Sequence, residues 1–205
     1  ATATSPSISG FSGGSGNVIS QTLINSGYTI ESVTYAITPS ASGCTGAPVN
    51  YVVTVNPVPD LSNNPKNQQQ CNNQSTNLTL TSNVGGTLFT WICTPSSGNI
   101  TGWSNSVAAG TIINQTLVNS SLFPETVTYH LTPHANGCDG AVTDYVVTVI
   151  FKPALTNSPL NKAICNNTST NITLTANVGG TLFTWLAIGG SPSVTGYSDN
   201  TTNPT

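Results

Sequence analysis

CNNQSTNLTLTSNVGGTLFTWI, running from Cys71 to Ile92, returns as CNNTSTNITLTANVGGTLFTWL from Cys165 to Leu186, 94 positions later and identical at 18 of 22 places. The same offset carries Cys44 onto Cys138, Tyr35 onto Tyr129, Tyr51 onto Tyr145 and Trp103 onto Tyr197. Self-similarity at a fixed period makes each period one structural unit. Inside the block the apolar residues alternate. Leu78 and Leu80 share a face of Thr76–Ser82, and Phe89 and Trp91 share a face of Thr87–Cys93 with Leu88 and Ile92 opposite. Alternation of period two predicts strands rather than helices.

Working outward, Thr126–Thr132 alternates Val127, Tyr129 and Leu131, and Tyr145–Phe151 (YVVTVIF) is a nearly continuous β-branched and aromatic run that reads as a central or two-faced strand. Turn signals separate the runs: Asn64-Pro65, Gly85-Gly86, Ser96-Ser97-Gly98 and Asn136-Gly137. Many short strands so spaced predict an all-β fold of tandem immunoglobulin-like sandwiches of about 94 residues, lined up as an elongated rod. One period places strand A within Asp60–Cys71, B at Thr76–Ser82, C at Thr87–Cys93, E near Thr111–Asn119, F at Thr126–Thr132 and G at Tyr145–Phe151. Residues 1–57 then hold the C-terminal part of a first unit, 58–151 a complete unit, and 152–205 the N-terminal part of a third. Trp91 and Trp185, Phe89 and Phe183, and Tyr35 and Tyr129 are the expected core aromatics, with Tyr129 placed where such folds tie a corner.

Composition supports folding and removes several function classes. Hydrophobic residues make up 37% of the 205, with three Trp and five Phe, enough to build cores. Cations almost vanish: Lys66, Lys152 and Lys162 stand alone, without Arg, so a nucleic-acid interface that neutralises phosphates is not expected. The remaining surface is Thr, Ser, Asn and Gln, which suits an extracellular setting. A net charge of -3 gives little mutual repulsion, so association between copies is open. No apolar run reaches the ~18 residues of a membrane span. The start, ATATSPSISG, lacks the basic and apolar regions of a signal peptide, so an export signal and anchor are expected elsewhere in a longer protein.

The segments Glu31–Pro59 (ESVTYAITPSASGCTGAPVNYVVTVNPVP) and Glu125–Val149 (ETVTYHLTPHANGCDGAVTDYVVTV) resemble the TYxITPxANGCxG…VTVNPxP signature of PKD-like, Ig-like repeats. Such repeats occur in very large surface proteins of Bacteroidetes, including gliding-motility adhesins exported by the type IX secretion system. The resemblance covers the whole chain and implies a stalk or adhesive region on the bacterial outer surface, with no catalytic residues to transfer. The second copy departs after its last strand, with Ile150-Phe151-Lys152-Pro153 where the first has Asn56-Pro57-Val58-Pro59.

Four of the five cysteines, Cys44, Cys71, Cys138 and Cys165, belong to the repeat; Cys93 is answered by Ala187 and reads as a small core residue. Cys71 and Cys138 fall at opposite poles of one unit, separated by a strand rising roughly 3.3 Å per residue. A disulfide tolerates about 7 Å between Cα atoms, so pairing inside a unit is not expected. Disulfides between successive units, or free buried thiols, remain the alternatives.

His130 and His134 are answered by Ala36 and Ser40, and Asp139 and Asp144 by Thr45 and Asn50, so the repeat does not depend on them. No metal, cofactor or catalytic constellation is expected. Phe11, Trp103 and Tyr197 share one aligned place, in SISGFSGG, NITGWSNS and SVTGYSDN, and read as a core plug or a contact between units, with stacking on sugars as the other reading. The function these features favour is a load-bearing stalk segment of a secreted adhesin. Its partners would be neighbouring repeats, other copies of itself, and a surface polysaccharide or substratum reached through parts outside this chain. A filament built by strand complementation between chains and a carbohydrate-binding module are the alternatives.

Overall fold

The computed structural model describes residues 1–201, and among these it contains strands and turns but no helix. The first segment holds β1 (Thr2–Ala3), β2 (Ile8–Ser9), β3 (Ile24–Asn25), β4 (Glu31–Ile37), β5 (Ser40–Ala41), β6 (Cys44–Thr45) and β7 (Val49–Val55). The middle segment holds β8 (Asn67–Cys71), β9 (Gln74–Ser75), β10 (Leu78–Thr79), β11 (Leu88–Pro95), β12 (Ile100–Thr101), β13 (Ile112–Ile113), β14 (Thr116–Asn119), β15 (Glu125–Ala135), β16 (Cys138–Asp139) and β17 (Thr143–Ile150).

In the middle segment the larger sheet has the order β11-β15-β17-β8, with β16 folded back on β15. Opposite it lie β12-β14-β9 and the pair β10-β13. The two layers bury Leu61, Leu78, Leu80, Phe89, Ile100, Ile113, Leu117, Val127, Tyr129, Leu131, Tyr145, Val147 and Val149 between them. This is an Ig-like β-sandwich. β17 is central, as its sequence predicted: Tyr145, Val147 and Val149 point inward, between β15 on one side and β8 on the other. All neighbours in this sheet are antiparallel except β17 and β8, which run parallel with Val146 opposite Asn67 and Ile150 opposite Cys71.

Strand B is broken where the sequence predicted a continuous Thr76–Ser82. Within that range only β10 is strand, and Thr76 and Asn77, the latter at φ +43°, separate it from β9. The physical reason is Thr76, whose buried hydroxyl donates to the Ile113 carbonyl at 2.6 Å and accepts from the Gln115 amide at 3.1 Å. A side chain there takes over the pairing that the backbone ladder would have made.

The first segment repeats the later strands. β4 and β7 pair from Glu31–Val55 to Ile37–Val49, the register of β15 and β17. β1 sets Thr2 opposite Thr34 and Ala3 opposite Val33, as β11 sets Thr94 opposite Thr128 and Pro95 opposite Val127. Its core is small, Ile8, Val33 and Tyr35, flanked by Ala3, Phe11, Leu23, Val53 and Val55. Tyr51 is 62% exposed, whereas its counterpart Tyr145 is 5% exposed. Residues 152–201 carry the isolated bridges Leu155–Ala176 and Trp185–Asn200, the latter doubled by backbone bonds in both directions at 2.9 Å. Residues 202–205, the end of the third expected segment, lie outside the described residues.

Phe89 has no exposed surface, while Phe183 is only partly covered. Phe89→Ala should therefore cost about 3–5 kcal/mol, and Phe183→Ala much less. Urea unfolding of the two variants followed by Trp fluorescence checks this; equal costs would contradict the difference in burial.

Candidate functional site

The candidate site has three parts: the polar ties that close a unit, the outer face of the large sheet, and the junction where the first segment meets the second. The ties are duplicated. Tyr129 Oη donates to Gln115 Oε1 at 2.9 Å, and Tyr35 Oη to Gln21 Oε1 at 2.8 Å. Gln115 in turn donates through Nε2 to the Ser104 carbonyl at 2.7 Å, which pins the loop carrying Trp103 over the core. Tyr129 thus ties a loop through a glutamine instead of a backbone corner. Burial pushes its phenol far above the ordinary tyrosine range. Asn119, fully buried, donates to the carbonyls of Phe123 (2.8 Å) and Val149 (2.9 Å), and Asn25 repeats the arrangement on Thr29 and Val55. Asn63 and Asn157 likewise bond Thr79 and Thr173 across the first strands of their units. Sequence reasoning missed these residues. The signal was present in VISQTLINSG and TIINQTLVNSS, whose shared Gln-Thr-Leu and Asn-Ser carry both ties.

The expected core aromatics divide. Phe89, Tyr129 and Tyr35 are buried; Trp91 sits half-buried at the rim, its Nε1–H donating to the Ser104 carbonyl at 3.1 Å. Trp185 keeps the same bond, to Ser198 at 3.2 Å, yet is 48% exposed. The tryptophans are therefore not central plugs. Trp91's inward neighbours Phe89 and Cys93 take the centre, and among the described residues no strands after Ile150 cover Trp185 as they cover the middle unit. Phe11 and Trp103 pack half-buried against their cores, whereas Tyr197 is 51% exposed over Gly189. The glycine before Trp103 is required by geometry: Gly102 has φ +85°, and a Cβ there would fall 2.0 Å from the Thr116 carbonyl. Gly10 before Phe11 meets Thr22 in the same way.

On the outer face of the large sheet, His130 Nδ1 lies 2.6 Å from Asp144 and its Nε2 2.9 Å from the Thr94 hydroxyl. His134 repeats this with Asp139 at 2.6 Å and Thr90 at 2.9 Å. A carboxylate can only accept, so each Nδ1 carries the proton. The two relays tie β11, β15, β16 and β17 together on an open surface, with the imidazoles 37% and 33% exposed. Among the described residues no three His, Cys, Asp or Glu side chains converge on a point.

The five thiols are unpaired. Cys71 ends β8 beside Ile150, while Cys138 lies in the hairpin opposite Ala135, at the other end of β15 and β17. The two poles are separated as the strand pattern predicted. Cys93 is buried, and desolvation raises its thiol to about 11, with a backbone hydrogen bond at Ser104 acting in the other direction. At the junction, Pro57 and Pro59 are withdrawn from solvent. Asn56 Nδ2 donates 2.8 Å to the Asn136 carbonyl. A Cβ on Gly140 would lie 1.9 Å from the Pro59 carbonyl, whereas the corresponding Gly46 meets only Pro39.

A two-layer sandwich of this register, internally tied and repeated, defines a class of Ig-like repeat modules. Residues 1–59 and 68–153 match the PKD-like domain family, and the chain belongs to that family. Comparison with curated proteins and with solved structures gives no match.

Two measurements test the ties and the thiols. Asp60 is held below its ordinary 3.8: burial acts to raise it, and bonds from Asn83 and Ser82 outweigh that. A depressed folded value gives stability that is complete above the unfolded pKa and lost as pH falls through the folded one. The melting temperature should accordingly drop below about pH 4, less steeply in Asp60→Asn. In native protein at pH 8, an alkylating reagent should modify exposed Cys44, Cys71 and Cys165 long before Cys93, as read by peptide mass mapping.

Proposed function

We propose that this chain is a stalk segment of a secreted cell-surface adhesin, holding a binding region away from the cell and carrying tension. Membership of the PKD-like family fits a structural repeat segment of an extracellular protein. No helix among the described residues is long and apolar enough to cross a membrane. The Bacteroidetes surface setting, type IX export and a role in gliding rest on the repeat signature in Glu31–Pro59 and its partner.

The observation that carries the load-bearing role is the parallel pairing of the unit's first and last long strands. Chain enters at the start of β8 and leaves at the end of β17, and these strands lie side by side over five register pairs. Tension on the two ends pulls them in opposite directions along their common axis. Every bond between them must then fail together. The ladder is closed at both limits, by Val146 N–H on the Lys66 carbonyl (3.1 Å) and Asn72 N–H on the Ile150 carbonyl (2.7 Å). That alternation makes Gln68 and Gln70 the intervening donors from β8.

Force spectroscopy of arrays of the 58–151 unit is the direct test. Each unfolding event should lengthen the chain by roughly 300 Å, as about 94 residues at 3.3–3.6 Å imply. Gln70→Pro, which deletes one donor, should lower the peak force. In solution scattering, maximum dimension should grow linearly with the number of units. A length that saturates, or a peak force unchanged by Gln70→Pro, would sink the stalk. Concentration-dependent polymers of the 205-residue chain would instead favour strand complementation, and sugar binding lost in Trp103→Ala would favour a carbohydrate module.

A further inference from the structure

The repeat contains two cysteine positions at opposite poles, and the junction of the first two segments brings those poles together. In the middle unit Cys71 is the register partner of Ile150. The counterpart of Ile150 in the first unit is Asn56, one residue beyond β7, just as Ile150 follows Val149. A complete unit ahead of the junction therefore places its Cys71 counterpart beside Asn56, one strand spacing, about 4.8 Å, away. Asn56 in turn touches the next unit: its amide donates to the Asn136 carbonyl in the hairpin that carries Cys138. Pro59 over Gly140 holds the same hairpin against the linker. Asn56 thus links the strand end that corresponds to Ile150, the register partner of Cys71, to the hairpin that carries Cys138. Both are reachable, Cys71 exposed and Cys138 half-buried, and the second pair, Cys44 and Cys165, recurs at the same places in the period.

We propose that each Cys71-type thiol forms a disulfide with the Cys138-type thiol of the following unit, a covalent clasp across every such junction. The two thiols lose two protons and two electrons to a small-molecule disulfide, which departs as two thiols, and one S–S bond forms. The presence of that oxidant rests on the extracellular location proposed above; the geometry does not. Cys93 takes no part, being buried and answered by Ala187.

The test sets leading strands ahead of Ala1. Because Thr2 and Ala3 hold the register of Thr94 and Pro95, Ala1 takes the place of Cys93, and a second copy of residues 58–92 ahead of Ala1 completes the first unit. After equilibration in reduced and oxidised glutathione, non-reducing peptide mapping should join the grafted Cys71 to Cys138, with two fewer alkylatable thiols, and Cys138→Ser should leave the grafted Cys71 free. A second protein guards against failure of the graft to fold: two copies of residues 58–151 in series, with Ile150→Asn and Phe151→Pro in the leading copy to recreate the Asn-Pro junction. Its units are closed without help, since every strand and core residue of the middle segment lies between residues 61 and 150. Thiols that stay fully alkylatable in this tandem, or a link between Cys71 and Cys138 of one unit, overturn the proposal. Because oxidant is supplied in the tube, a protein shown to reside inside the cell would end the adhesin reading while leaving this result standing.

Discussion

The middle unit depends on one strand having every second side chain withdrawn from water. β15 runs eleven residues with Val127, Tyr129 and Leu131 at no exposure, and both β11 and β17 pair along it. Its inward side chains fix which face of each neighbour must turn inward, because a slip of one residue would exchange the buried and solvated sets. Phe89 and Cys93 on β11 and Tyr145, Val147 and Val149 on β17 follow from that constraint. The facing layer, β12-β14-β9 and β10-β13, is made of fragments of two to four residues and has little ladder of its own. It holds its place by lying on β15 and by amide side chains.

Those amides explain the composition. A protein with three Lys, no Arg and abundant Asn, Thr and Gln uses its polar side chains inside as structural ties: Asn119 caps two carbonyls, Asn63 stands in for a strand partner, Gln115 joins a buried phenol to a loop. Neutral amides carry both donors and acceptors and pay no penalty for burying charge. The few carboxylates are used in the same manner. Glu31 accepts from Thr4 and Thr29, and Glu125 from Ser96, which hold both below their ordinary values. Each unit is therefore closed by contacts that ordinary changes in salt do not screen.

Much of this was legible from residue order. The 94-residue offset, the alternating runs and the β-branched stretch at Tyr145 gave the sandwich, the centrality of β17 and the opposite poles of Cys71 and Cys138. What escaped is what depends on side chains acting as backbone. Nothing in the Thr76–Ser82 alternation reveals that the Thr76 hydroxyl would replace a ladder rung and split the strand. The place of Trp91 on an early strand of the unit predicts a core indole, yet a ring with one polar edge settles at the rim, where Ser104 can receive its N–H. The parallel course of β8 along β17 was likewise invisible, since direction of pairing leaves no mark on periodicity.

That parallel pairing makes the unit mechanically one-directional. Drawn lengthwise it behaves as a lap joint, whose overlap shares the strain among all rungs at once. Drawn apart across the sheet, the antiparallel neighbours β15 and β17 separate as in peeling, rung after rung, starting at the end away from the turn that joins them. The module therefore resists a pull along its axis better than one across its sheet.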